Sequence, residues 1–210
     1  METTKDLGWA EFFIPLQNIQ PLHIKLDEPK KQASLNQDRP IAHLSYESTL
    51  FKMPTLAILT PFLKVSSWDS STGRLDMEVD EHSLGFQKFL SVEETLLDLL
   101  ASHPSWLRAN KSSKEELKHT FQRILKDNIF TVYLHGQNQD TKPAGRVWIY
   151  KEGAWSKGAT ASSFKRGQQL RVAVRLQGVC FLQYPGQPTR LRIQHQTVAV
   201  LHKTAAPAAP

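Results

Sequence analysis

From Leu170 to Gln177 the chain keeps a strict period of two: Leu170, Val172, Val174 and Leu176 are apolar, while Arg171, Ala173, Arg175 and Gln177 are small or polar. Only an extended strand lines residues i, i+2 and i+4 on one face, so this segment is a strand with one buried and one wet side. Gly178 interrupts the run and reads as a bulge or bend. The same period recurs in Leu75, Met77 and Val79 against Arg74, Asp76 and Glu78. It returns in Val132 and Leu134, and in Val147 and Ile149 against Arg146, Trp148 and Tyr150. Shorter strands are expected at Trp9–Ile14, Leu22–Leu26, Ile41–Tyr46 and Thr55–Val65, broken by Pro-rich turns. A last strand runs through Leu191, Ile193, Val198 and Val200, its phase slipping near His195–Thr197.

Between these halves the period changes to three and four. Phe86, Phe89, Leu90, Leu96, Leu97 and Leu100 draw an apolar stripe from about Leu84 to Ala101, ended by His103-Pro104. Ser113 with Glu116 forms a capping-box pattern, and Leu117, Phe121, Ile124 and Leu125 extend a second helix to about residue 127. The expected fold is therefore mainly β (α+β): a small OB-like β-barrel elaborated by two helices, one domain over residues 1–202. Residues 203–210, small and Pro-rich, read as a disordered tail.

With 210 residues and 40% hydrophobic content, the chain can build a real core. Its single cysteine, Cys180, excludes an intrachain disulfide and a multi-cysteine zinc site, and amid apolar neighbours it reads as packing. The N-terminus lacks a signal-peptide layout, and no run reaches the ~18 apolar residues of a membrane span, so an intracellular protein of cytoplasm or nucleus is expected. No catalytic constellation, phosphate loop or pair of histidines at metal-ligand spacing stands out, so no enzyme, cofactor or metal is expected. Asp69, Asp76, Glu78 and Asp80 read as a solvated face rather than a metal set.

Charge is divided unevenly. Residues 141–210 hold eleven Lys/Arg and one acid, a balance of +10, whereas the whole chain is +6 and the first 140 residues are −4. Clustered cations that displace counterions from a polyphosphate are the main sequence-independent source of nucleic-acid affinity. Here they are interleaved with rings. Arg146, Trp148 and Tyr150 share one face of a strand, and Arg171 and Arg175 share a face of another. If both faces look outward from one sheet, they form a platform of rings flanked by guanidiniums, on which unpaired bases stack for ~1–3 kcal/mol each. Trp148 fits a buried ring and an exposed one equally well. Lys151, Trp155 and Lys157 fall in a Gly-flanked loop, and Phe164, Lys165 and Arg166 follow in a polar stretch suited to the same ligand. No basic recognition helix for a duplex is evident.

The order of features resembles the OB-fold single-stranded-DNA-binding proteins of large DNA viruses, phages and related mobile elements. The resemblance is carried by Leu56–Val65, Arg74–Val79, Phe86–Leu90, Gly167–Phe181 and Leu191–Val198, within a span from Leu56 to Val200. It implies non-catalytic coating of single-stranded DNA, or of RNA, during replication, recombination or repair, with proteins of those processes or further copies of the chain as partners. By position, Trp148, Tyr150, Arg171 and Arg175 match that family's nucleic-acid face, and Lys157, Lys165 and Arg166 a binding loop. Many members end in an acidic tail; this chain ends in Ala and Pro. The alternative is a structural or scaffold protein whose basic half docks on nucleic acid or an acidic protein partner.

Overall fold

The computed structural model describes residues 13–31, 39–107, 113–134, 147–159, 163–183 and 186–203. Its longer strands begin with β1 (Pro40–Glu47), β2 (Leu56–Leu59), β3 (Leu63–Asp69) and β4 (Arg74–Glu78). Helices α1 (Leu84–Ala101) and α2 (Lys114–Thr120) follow, then β5 (Ile129–Tyr133), β6 (Trp148–Lys151), β7 (Ala154–Lys157), β8 (Gln169–Leu182) and β9 (Arg190–His202). The chain is mostly β, and its strands join in one open, mixed sheet.

Strand β8 is the spine of that sheet. One edge pairs antiparallel with β9, from Leu170 opposite His202 to Leu182 opposite Arg190. The other edge is divided: Gln169 and Leu170 pair with β3, Ala173–Leu176 with β2, and Gly178–Cys180 with β1. The N-terminal and C-terminal strands are thereby woven into one sheet. The alternation explains why β8 can hold this place, since Leu170, Val172, Val174 and Leu176 are at most 2% exposed. The expected irregularity at Gly178 is a register shift against β9. A Cβ there would stand 2.3 Å from the Ala42 carbonyl oxygen, so only glycine lets β1 come close enough to pair.

Beyond β9 the sheet continues with β6, which runs parallel to it, and then β7. The β6–β7 hairpin turns on Glu152 and Gly153, both left-handed at φ 52 and 84, as a two-residue type I′ loop requires. Beyond the other edge, β3, β4 and β5 follow antiparallel. In β4, Leu75 and Met77 are buried, and Arg74, Asp76 and Glu78 point away from the core.

Helix α1 has the predicted bounds. The Ser83 hydroxyl accepts the Phe86 N–H at 3.1 Å, and Phe89, Val92, Leu96, Leu97 and Leu100 are buried, roughly 1.5–3 kcal/mol each. Helix α2 forms the expected capping box but ends at Thr120, short of the predicted residue 127. The reason lies on α1. Buried Glu93 accepts N–H groups from Ile124 and Leu125 and the Nε–H of Arg123, holding a bend at Ile124 between two short strands. Phe121–Gln122 then pair with Leu191–Arg192, and Leu125–Lys126 with Ile129–Phe130.

Three other expectations need correction. The predicted strand Thr55–Val65 is two strands, because Thr60 turns its hydroxyl to the Val172 N–H at 2.9 Å and Pro61 has no N–H to give a ladder. In Leu22–Leu26 only Ile24–Leu26 is strand, after a short 3-10 turn. Lys203 is not tail: its N–H bonds Gln169 O at 3.0 Å and its ammonium reaches Gln169 Oε1 at 2.7 Å. Residues 204–210 lie outside the described residues, as do residues 9–12 of the first expected strand.

Candidate nucleic-acid interface

The I′ turn folds β7 back on β6 so that Tyr150 stands opposite Trp155, and Trp148 opposite Lys157. Residues opposed in an antiparallel pair share a face. The rings of Tyr150 and Trp155 lie 5.0 Å apart, tilted by 49°, and those of Trp148 and Trp155 meet edge to face at 6.4 Å. All three side chains are half-buried, while Ile149 between them is in the core. Trp148 thus resolves to neither a buried nor a fully exposed ring. Trp155 is a strand residue, not the loop residue expected, because Glu152-Gly153 takes the turn.

Pairing carries this face across the sheet. Tyr150 is in register with Leu201 of β9, and Leu201 with Arg171 of β8. Trp155, Tyr150, Leu201 and Arg171 therefore form one row over four adjacent strands. Arg171 and Arg175 lie on the same face of β8, about 13 Å apart at ~3.3 Å per residue. Arg171 is held in place: its Nε donates to Thr60 O at 2.9 Å, and its guanidinium sits 5.4 Å from the centre of the Phe62 ring. Arg175 is exposed.

Half of the twelve described cations of the acidic portion face a carboxylate. Lys52, Lys64, Arg74, Lys114, Lys118 and Arg123 each face a carboxylate. Of the candidate cations, Lys151 lies 3.8 Å from Glu152, and Lys165, Arg166, Arg171 and Arg175 face no carboxylate among the described residues.

The basic loop expected beside Trp155 is divided in two. Lys151 and Lys157 belong to the hairpin, whereas Lys165 and Arg166 are exposed in a turn bonded to Val65 of β3, across β8 from the hairpin. Phe164 leaves the candidate set. It is 4% exposed, edge-on to Trp68 at 5.0 Å and stacked on His202 at 5.6 Å, so its faces are already covered. Arg146 lies outside the described residues.

Phe62 lies outside the sequence-expected set. It is 42% exposed, and its ring has Arg171 on it and the Lys203 ammonium 5.8 Å from its centre. The expected strand Thr55–Val65 contains it, and Thr60-Pro61 breaks that strand. The Thr-Pro dipeptide was the available signal.

The remaining titratable groups serve the fold. Burial pushes the Cys180 thiol up, and its Sγ donates to Gln194 Oε1 at 2.9 Å. Hydroxyls and amides of Ser71 and Thr72 hold Asp69 at about 2. Burial raises Asp76, but hydrogen bonds from Thr131, Arg74 and Ser67 outweigh it and leave the carboxyl below its usual range. No cluster of three potential metal ligands occurs among the described residues. Nor is any described helix long and apolar enough to cross a membrane.

Compared with known proteins, the sequence matches no protein-family model and no curated protein.

Proposed function

We propose that this protein binds single-stranded nucleic acid, DNA in the first instance, as a non-catalytic coating protein. Bases stack on Trp148, Tyr150 and Trp155, and phosphates lie along Arg171, Arg175 and Lys157, whereas Lys151, one residue on from Tyr150, belongs to the opposite side of β6. The observation that carries this reading is the register row Trp155, Tyr150, Leu201, Arg171, which sets rings and a guanidinium that faces no carboxylate on one sheet face, with one strand between them. Such a surface suits a flexible strand whose bases are splayed, and rings serve every base alike. It does not suit a duplex, whose bases face inward.

An OB-like, partly closed curvature belongs to the same proposal. Phe121–Gln122 on β9 and Leu125–Lys126 on β5 bridge the two ends of the run β5-β4-β3-β8-β9, and this supports closure. The side of the sheet carrying Leu170, Val172 and Val174 is then the interior.

The test is an electrophoretic titration with single-stranded DNA, single-stranded RNA and duplex DNA of equal length. Single strands retarded at concentrations that leave duplex free support the reading. Equal affinity for duplex DNA and single strands sinks it and favours a scaffold that docks by charge alone.

A further inference from the structure

We infer that Phe62 is a further base-stacking subsite, continuous with the platform of Trp148, Tyr150 and Trp155 and separated from it by Arg171. This rests on the proposed single-strand binding and fixes the path of the strand: across the β-strands rather than along them.

Three observations place it. First, Arg171 is the last residue of the register row, and its Nε bond to Thr60 O brings the Thr60–Phe62 connection against the guanidinium at the same level of the sheet. Counting β7, β6, β9, β8 and that connection gives four strand spacings, about 19 Å from Trp155 to Phe62 at ~4.8 Å each. Second, Phe62 is an exposed aromatic ring with two cations on it, Arg171 at 5.4 Å and Lys203 at 5.8 Å. A core phenylalanine has no such company. The pairing of a flat face with phosphate-seeking donors is what stacking sites for single strands use.

Third, Phe62 opens into a groove of about 1050 Å³ that Arg171 and Gln169 line from β8, while Lys64 pairs with Glu78 at 3.3 Å and Asp80, Glu81 and Asp127 complete the lining. Phosphates are attracted to Arg171 and repelled by Asp80, Glu81 and Asp127. The base therefore points into the groove over Phe62, and the backbone stays beside Arg171 and Lys203. Rings at both ends and a guanidinium between them define a ligand that is a strand several nucleotides long, not a mononucleotide.

The experiment is a fluorescence titration of wild type, Phe62→Ala, Phe62→Leu and Phe62→Trp with an oligo-dT ladder, over the ~4–16 nucleotides that single modules cover. Phe62→Leu keeps volume and apolarity but lacks a flat ring. The expected result is that Phe62→Ala and Phe62→Leu bind the shortest oligonucleotides like wild type. Both bind longer ones about 5- to 150-fold more weakly, the equivalent of one stacked base. Phe62→Trp restores the long-strand affinity. If all variants match wild type at every length while tryptophan emission still responds, Phe62 is no subsite and the platform stands. If no oligonucleotide changes the emission of wild type, the platform fails and this subsite with it.

Discussion

Replacing Glu93 by alanine tests how α1 fixes the bridge between β9 and β5. The carboxylate is 3% exposed and accepts the Leu125 N–H at 3.3 Å, Arg123 Nε at 3.1 Å and the Ile124 N–H in a short contact. Leu125 is itself 4% exposed, so its N–H cannot turn to water, and leaving it unpaired costs about 1–3 kcal/mol. The Ile124 N–H loses a charge-assisted bond worth about 1.5–3 kcal/mol. The Arg123 side chain is 61% exposed and returns to water, contributing under about 1 kcal/mol. Glu93→Ala should therefore destabilise by about 3–5 kcal/mol, and Glu93→Gln, which keeps one acceptor and the shape, by about half of that. Urea unfolding reads the loss as a lower midpoint at unchanged slope, with Arg123→Ala as the mild control. If Glu93→Ala lies within about 1 kcal/mol of wild type, or Arg123→Ala is as damaging, the hydrogen-bond account of this bridge is wrong.

Gly178→Ala should cost about 3 kcal/mol in the same assay, because the new methyl meets the backbone oxygen of Ala42, which a rotamer change cannot move; a neutral substitution would mean that β1 does not pair there. Phe164→Ala should lose about 3–5 kcal/mol of stability, whereas Trp155→Ala should lose far less stability and about 1–3 kcal/mol of single-strand affinity. The reverse pattern would exchange their roles. Burial lowers the affinity of His195 and His202 for a proton, with Arg192 and Lys151 adding to the effect respectively. The unfolded chain then binds more protons below about pH 6.5, so stability is full above that pH and falls as pH drops through the window toward the lowered values. Thermal melts across pH should show this decline, and His202→Gln should flatten part of it; a melt that is flat through this range, or one that declines equally in His202→Gln, contradicts the assignment.

Much of the strand framework was legible because alternation is local. Leu170–Gln177, Arg74–Val79 and the Ser113 cap depend on neighbours in sequence and needed nothing else. The end of α2 was not legible. Leu117, Phe121, Ile124 and Leu125 fit a helical stripe, and only Glu93, thirty residues upstream of Arg123, decides for two short strands with a bend between them. The site was half legible for the same reason. That Trp148 and Tyr150 share a face follows from the period, but their alignment with Arg171 passes through Leu201, and pairing partners are not written in one strand's sequence. The composition of Lys151-Glu-Gly-Ala suggests a loop around Trp155, but its spacing is that of a two-residue hairpin turn. Gly at the second central position of a two-residue turn was the sign of a hairpin. Phe164 shows the opposite failure, a ring in a polar stretch that His202 and Trp68 draw inward.

The central claim, that rings and cations on one sheet face hold a single strand, is tested most directly by titrating tryptophan emission with oligo-dT at 50 and 200 mM salt. Stacking on Trp148 and Trp155 predicts strong quenching. About four phosphate contacts at a slope of about −0.7 each predict affinity about 50-fold weaker at the higher salt. Unchanged emission at both salt concentrations, with no complex at the lower one, would contradict it.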